Sequence, residues 1–395
     1  MDFNRRELRT NNYRFCSGHQ ARYTLAQEAH LPDPAHRAGL EGVIVADTRL
    51  SEVDGERGRL VIAGSDVEKL AGNVSFEELA HRLWSLYLPE SSPDRLQKNL
   101  GEARVRAFAL IPGLGNALEA RDGMDTLRAA VAHLQAPDSA WESTVLVNAA
   151  TAVFTAAWAA KLQGRQPTPP DSSLGHAADL LRMATGDASP VKAKGLEAYL
   201  VVVSDHGMNA STFAARVIAS TGSDLVSAVV GAIGALKGPL HGGAPGPVLE
   251  MLDNIGQPDR AIQWLEAEIN AGRRIMGMGH RIYRVRDPRA AVLEQAVMRL
   301  ERSGIGTPRL KLARAVEEAA EGLLRKRHPD RPLNANVEFY TAVLLDALGF
   351  PRTLFSPLFA CGRVVGWSAH VAEQRATGRL IRPESRYIGP RPAPA

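Results

Sequence analysis

Residues 223 to 253, SDLVSAVVGAIGALKGPLHGGAPGPVLEMLD, constrain this chain more than any other stretch. Ser223 to Lys237 is small and apolar on every side, a pattern that predicts a buried helix rather than a surface one. Gly231, Gly234 and the alanines around them allow other helices to approach closely. Gly238-Pro239 cannot continue the helix, so it must stop at Lys237. Pro247 can open the next helix at its first position. His241 therefore falls in a glycine-flanked break between two helices. Gly242 and Gly243 remove side chains where a ligand would need room near the backbone. The plainer alternative is a helix corner with an incidental histidine.

A core built around such a helix needs a long chain, and 395 residues provide one. Apolar residues make up 45% and charged residues 23%, the balance of an ordinary globular protein. No run approaches the roughly 18 continuous apolar residues of a membrane span, so no membrane partner is expected. A net charge of +4 is too mild for a nucleic-acid footprint, yet it suits small anionic substrates. Cys16 and Cys361 are far apart, which argues against a disulfide framework and fits a reducing cytoplasm. The N-terminal residues carry arginines without an apolar core, unlike a secretory signal.

The polar residues 1–38, broken by Pro32 and Pro34, read as an N-terminal arm. Two β-branched runs, Val43 to Ala46 and Leu60 to Ala63, flank Asp54-Gly55-Glu56 and predict a small hairpin. Ser65-Asp66 can cap a helix from Val67. Beyond Ser75 the spacing is helical nearly to the end, with a capping box at Ser75-x-x-Glu78 and a cap at Ser92-Pro93. Apolar residues keep three-four spacing through 122–135, 140–163 and 192–220. Residues 164–173 read as a surface loop. Later helices are expected at 247–253, 258–271, 287–303, 308–325, 334–348, 351–360 and 362–376. The fold class is mainly α, with one small N-terminal hairpin.

Of the 11 histidines, three keep unusual company. His206 lies in Ser204-Asp205-His206-Gly207, His241 in the break above, and His280 in Gly277-Met278-Gly279-His280-Arg281. No His pair has metal-ligand spacing, so no metal is expected. A G-x-S-x-G elbow and a Walker-type phosphate loop are both missing. The glycines before His280 let a flat or phosphorylated ligand approach the backbone. Glu338 stands in the first turn of an apolar helix, where the helix dipole alone would favour an acid. Arg363 sits in a very apolar run. If it is buried there it should meet an anion, because an unpaired buried charge is costly.

Six ordered blocks then become informative together: GLEGV…DGE.G.L at 39–60, DH..NASTF.ARVIAST.SD at 205–224, AIGALKGPLHGGA at 232–244, GMGHRIYRVRDPRA at 277–290, NVEFY at 336–340, and GR..GW.AH..EQ….RLIRP…Y.GP at 362–390. In these blocks the chain resembles the citrate synthase family. The resemblance implies a helical homodimer with a large domain (39–242 and 350–395), a small domain (243–349) and a site between them. It implies condensation of acetyl-CoA with oxaloacetate, followed by hydrolysis of citryl-CoA to citrate and CoA. No cofactor is implied, CoA entering only as the thioester substrate. His241 matches the histidine on the thioester carbonyl, His280 the one that protonates the oxaloacetate carbonyl, and Glu338 the base for the methyl proton. His206, Arg289, Arg363 and Arg382 match residues that hold oxaloacetate, Arg382 reaching over from the other subunit. Arg284 matches a basic residue near the CoA phosphates, and Arg274, Met276, Gly277 and Gly279 fall in the stretch that matches the adenine loop.

Three departures cluster at this site. The family's base is usually aspartate, and here it is Glu338, whose extra methylene moves the carboxylate by roughly 1 Å, a shift that can cost about 10²-fold in rate. Gly207 stands where an acid usually follows Asp-His, and Pro245 where GGAN has its asparagine. A milder one is Ala63-Gly64 in place of Arg-Gly. These changes leave open a propionyl-CoA enzyme (2-methylcitrate synthase) and a weakly active CoA- or dicarboxylate-binding paralogue.

Overall fold

The computed structural model describes residues 39–40, 42–242, 245–280, 282–305, 308–330 and 333–390. The arm at 1–38, Gly243 and Arg281 lie outside the described residues. Residues Met1–Asp47 form one unit and Thr48–Ala395 another; the site lies wholly in the second.

A three-stranded antiparallel sheet opens that unit: β1 (Ser51–Asp54), β2 (Arg59–Ile62) and β3 (Ser65–Asp66), with Val53 opposite Leu60 and Val61 opposite Asp66. The hairpin is present, but its first strand is SEVD and not Val43–Ala46, which forms no strand. β1 needs few apolar residues because only one face meets the core, where Leu60 and Ile62 of β2 are buried. Asp66 precedes the short helix α1 (Val67–Leu70), but its side chain makes no cap bond and pairs with Arg59 instead.

The remaining regular structure is helical. α2 (Phe76–Trp84), α3 (Pro93–Ala109), α4 (Gly123–Ala132) and α5 (Ala140–Leu162) come first. Ser75 caps α2 by accepting the Glu78 N–H, as its spelling predicts, whereas Ser92 makes no cap bond to α3. α6 (His176–Thr185), α7 (Pro190–Val203), α8 (Ala210–Ser220), α9 (Leu225–Leu236) and α10 (Pro245–Ile255) follow. Last come α11 (Ala261–Asn270), α12 (Pro288–Arg302), α13 (Pro308–Arg327), α14 (Val337–Ala347) and α15 (Phe355–Thr377).

Several boundaries correct the sequence reading. The regular spacing through 192–220 conceals a break: the chain leaves α7 at Val203 and re-enters helix at Ala210, which puts His206 in a loop. Apolar residues fall in phase on both sides, so periodicity alone is blind to it. The two helices expected at 351–360 and 362–376 are one. A Cβ on Gly362 would lie 2.4 Å from Val203 Cγ2 and 3.2 Å from the Leu200 carbonyl oxygen, so this glycine permits a close helix crossing and not a turn. α10 begins at Pro245, before Pro247. α9 is not buried all round, since Val230, Gly231 and Gly234 are half-buried. The helix enclosed on every side is α5, long and apolar enough to cross a membrane by composition but with 83% of its apolar window inside the fold.

α15 runs beside α5 and gathers a buried polar network. Arg216 on α8 donates to Glu373 Oε2 at 2.6 Å and to His370 Nδ1 at 3.0 Å. With Nδ1 an acceptor, the His370 proton sits on Nε2 and is shared with both oxygens of Asp205, each at 3.2 Å. All four side chains are essentially inaccessible. Removing the cation would leave the Glu373 carboxylate buried without its ion-pair partner, so Arg216→Met is expected to cost about 3–5 kcal/mol in urea unfolding.

A second histidine, His176, is fully buried against the Phe76 ring with neither nitrogen paired among the described residues. Burial, helped by Arg104, holds its pKa well below the ordinary 6.5. The unfolded chain binds a proton here below pH 6.5 while the folded chain does not, so stability from this residue falls as pH drops through that value. His176→Phe is therefore expected to flatten the acid side of a melting-temperature profile.

Candidate active site

The three histidines, Glu338 and two arginines line one cleft of about 420 Å³. Three loops and three helices bring them there. The break between α7 and α8 supplies His206, the turn after α9 supplies His241, and the loop before α12 supplies His280. Glu338 is second in α14, whose cap Asn336 accepts the Glu338 N–H. Arg289 is second in α12, and Arg363 faces the cleft from α15.

Two of the histidines have their tautomer set by the backbone around them. His241 Nε2 lies 2.8 Å from Ser211 Oγ and accepts the Ser211 N–H at 3.3 Å, which leaves the proton on Nδ1. Ser211 Oγ in turn accepts from Trp367 Nε1 at 3.1 Å. His280 Nδ1 accepts two peptide N–H groups, from Ile282 at 3.0 Å and Tyr283 at 3.1 Å, which leaves the proton on Nε2, 3.4 Å from Arg289 Nη2. His206 Nε2 meets Tyr283 Oη at 3.1 Å, and its ring stands edge-on to His280 with centroids 5.7 Å apart. Burial, with Arg363 beside it, lowers His241 to about 4. Burial, with Arg289 beside it, lowers His280 to about 4 as well. His206 falls well below its ordinary value for the same reasons. All three rings are neutral near pH 7, so they are hydrogen-bond donors rather than cations.

The two arginines differ. Arg289 is held in a fork by Asp287, with Nε to Oδ1 at 3.0 Å and Nη2 to Oδ2 at 2.8 Å. Asp287 also accepts the Val337 N–H at 3.1 Å, which ties α12 to the start of α14. Arg363 is 1% exposed and has no carboxylate partner within ion-pair distance among the described residues. Its Nε donates to the Val203 carbonyl at 2.5 Å, and its guanidinium lies 4.7 Å over the Phe359 ring. Burial brings its pKa down to about 10, Asp205 opposing and Arg289 adding to the effect. Desolvation raises Glu338 to about 7, against the pull of Arg289 and Arg274.

Arg274, Met276, Gly277 and Gly279 also line the cleft. Asn336 fastens this loop to α14 by donating to the Gly279 carbonyl at 2.9 Å. Arg284 and Arg382 do not line it. Arg284 is exposed on the loop after His280, and Arg382 is exposed beyond α15. Gly242 opens no room for a ligand: a Cβ there would lie 2.4 Å from the Leu236 carbonyl oxygen, so its role is to fold the turn back on α9. Tyr283, Ser211, Asn209 and Phe359 were not singled out from the sequence. Tyr283 had a signal, being the one aromatic residue in an arginine-rich loop three positions after His280. Among the described residues, no group of three or more His, Cys, Asp or Glu side chains could hold a metal ion.

Such a cleft offers neutral donors, one carboxylate near neutrality and an unsatisfied buried cation. It can bind a small dianion and polarise a carbonyl while a weak carbon acid is deprotonated. Comparison with known proteins places the chain. The chain is 36% identical over 369 residues to the citrate synthase of Haloferax volcanii, covering 89% of this chain and 96% of that one. It is 35% identical over 380 residues to the 2-methylcitrate synthase of Mycobacterium tuberculosis, covering 90% and 91%. Among solved structures it resembles a citrate synthase from Thermoplasma acidophilum in ternary complex with carboxymethyl coenzyme A and oxaloacetate, with TM-score 0.78 and 27% identity, covering 90% of this chain and 97% of that one. The sequence profile described as "Citrate synthase, C-terminal domain" matches residues 39–384. With that profile spanning nearly all of the helical unit and the whole fold shared with a solved relative, this chain belongs to the citrate synthase family.

Proposed function

We propose that this protein condenses acetyl-CoA with oxaloacetate and hydrolyses the resulting citryl-CoA to citrate and CoA. The observation that carries the reading is Arg363, a buried cation without an ion-pair partner among the described residues, at the wall of a cleft that also holds Glu338 and three neutral histidines. A dicarboxylate would supply the missing anion, with Arg289 and His206 taking its other oxygens. A relative solved with carboxymethyl coenzyme A and oxaloacetate supports both ligand classes.

In this reading His241 donates Nδ1–H to the thioester carbonyl oxygen while Glu338 removes a methyl proton, so enol charge develops against a fixed donor. The enol carbon attacks the oxaloacetate carbonyl carbon, and His280 donates Nε2–H to the oxygen that becomes the hydroxyl. Water then cleaves the thioester, releasing citrate and CoA. The stretch Arg274 to Gly279 and Arg284 serve the CoA moiety. His206, His241 and Arg363 belong to residues 39–242 and 350–395, and His280, Arg289 and Glu338 to residues 243–349. Closure of these two parts would exclude water while the enol exists. A second copy of the chain supplies Arg382, which is exposed and outside this chain's own cleft.

The relative named 2-methylcitrate synthase, at nearly the same identity, favours one alternative, propionyl-CoA as acyl donor. Thiol release by the purified protein with oxaloacetate, and acetyl- or propionyl-CoA in parallel, separates the two. Faster release with acetyl-CoA is expected. Preference for propionyl-CoA would move the enzyme to methylcitrate synthesis, and no release with either would sink the catalytic reading.

A further inference from the structure

The motif DGE.G.L at 54–60 has no place in the cleft, yet its turn touches the backbone that sets His280. Asp54 Oδ1 accepts the N–H groups of Glu56 and Arg57 at 3.1 and 2.9 Å, which shapes the turn between β1 and β2. The carbonyl of Gly55 accepts the Arg284 N–H at 2.8 Å. A Cβ on Gly55 would lie 2.3 Å from the Ile282 carbonyl oxygen, and one on Gly58 would lie 2.4 Å from Val285 Cγ2. The peptide groups of residues 282 to 284 are thus clasped between the hairpin and the His280 ring, whose Nδ1 takes the N–H of Ile282 and Tyr283. The same hairpin reaches a second histidine loop, because Ser51 Oγ accepts the Gly207 N–H at 3.0 Å.

We propose that the turn at Asp54–Gly58 is a positioning element for the condensation, holding the His280 loop at its working distance through Gly55. This rests on the function proposed above. Gly55 makes a clean test, because it is not among the residues with positive φ, so alanine brings no backbone strain of its own. Its close neighbour is a backbone oxygen, which cannot swing aside.

In Gly55→Ala the loop must shift, and thiol release at saturating substrates should fall about 10- to 100-fold, the scale of a displacement near 1 Å. kcat should take more of the loss than the KM for oxaloacetate, and the melting temperature should stay close to that of the parent. Gly64→Ala is the control. Gly64 has φ +78 in the next turn of the same sheet, with nothing among the described residues within 4 Å of a Cβ, so alanine there strains the sheet without touching the loop. Its kcat should match the parent. Gly58→Ala should also lose activity, and adding Val285→Ala, which removes the clashing methyl, should restore part of it. Parent-like turnover in Gly55→Ala, or an equal loss in Gly64→Ala, would overturn the proposal. If the parent releases no thiol, the proposed function fails on its own. The clasp is then read by hydrogen exchange: the Arg284 amide should be protected in the parent and lose protection in Gly55→Ala, and equal protection in both would overturn it.

Discussion

Replacing Arg363 by methionine is expected to abolish oxaloacetate binding without destabilising the free protein. Most substitutions of a fully buried residue destabilise. Here the parent keeps a cation 1% exposed beside an aromatic ring, with no carboxylate to balance it among the described residues. Its removal relieves that desolvation penalty and loses one bond, to the Val203 carbonyl. With oxaloacetate the balance reverses. Hydrogen bonds to charged groups contribute about 1.5–3 kcal/mol each, so losing two should lower kcat/KM for oxaloacetate by roughly 10²–10⁴-fold. Thermal unfolding reads both effects in one experiment. The parent should gain about 2.7 kcal/mol at a hundredfold excess of oxaloacetate over its Kd, and Arg363→Met should gain none while melting no lower in its absence. A variant that melts well below the parent without ligand would show that Arg363 serves the core and not a substrate.

The second large effect concerns Glu338. Burial brings its carboxylate to about 7, so at neutral pH it is divided between the protonated acid and the carboxylate that the proposed mechanism needs as its base. Raising the pH through that value ionises it. kcat/KM for the acyl-CoA should therefore rise about tenfold per pH unit below 7 and level off above it. Glu338→Gln should be flat with pH and lower by roughly 10³-fold or more, toward the upper end of what a general base contributes. The informative variant is Glu338→Asp, which restores the residue usual in the family. The helix start around Glu338 is fixed by Asn336 and Asp287, so its backbone cannot advance to make up a shorter side chain. A loss of about 10²-fold is expected. A gain in turnover would instead mean that the glutamate is a decayed base on a scaffold still shaped for aspartate.

The helical class and the company of His206, His241, His280, Glu338, Arg289 and Arg363 were legible because glycine, proline and histidine mark breaks in otherwise periodic segments. What stayed hidden has specific physical causes. The loop holding His206 interrupts a run whose apolar spacing continues on both sides, so the periodicity does not announce it and only Gly207 hints at the break. Gly362 spells a break, but its meaning depends on Val203 and Leu200, more than 150 positions away, which no local pattern reports. Val43–Ala46 has better strand residues than SEVD, yet pairing selects SEVD because it lies opposite Arg59–Ile62 across a turn that Asp54 can close. The contacts that orient the histidines run through Ser211, Trp367 and Tyr283, residues with no chemistry of their own to draw attention.

α15 carries Phe359, Arg363, Trp367, His370 and Gln374 at steps of three or four, all on one stripe. Phe359 and Arg363 face the cleft, Trp367 braces Ser211 behind His241, and His370 and Gln374 engage Arg216. Each residue of an α-helix turns the next by about 100°. One codon gained or lost between Phe359 and Gln374 would swing one end of this stripe away from its partners while the other stayed in place. Length variation among descendants of this chain is thus confined to places such as the loop at 164–173, and α15 acts as a fixed ruler against which the cleft's buried arginine, the support of His241 and the buried polar network are all measured.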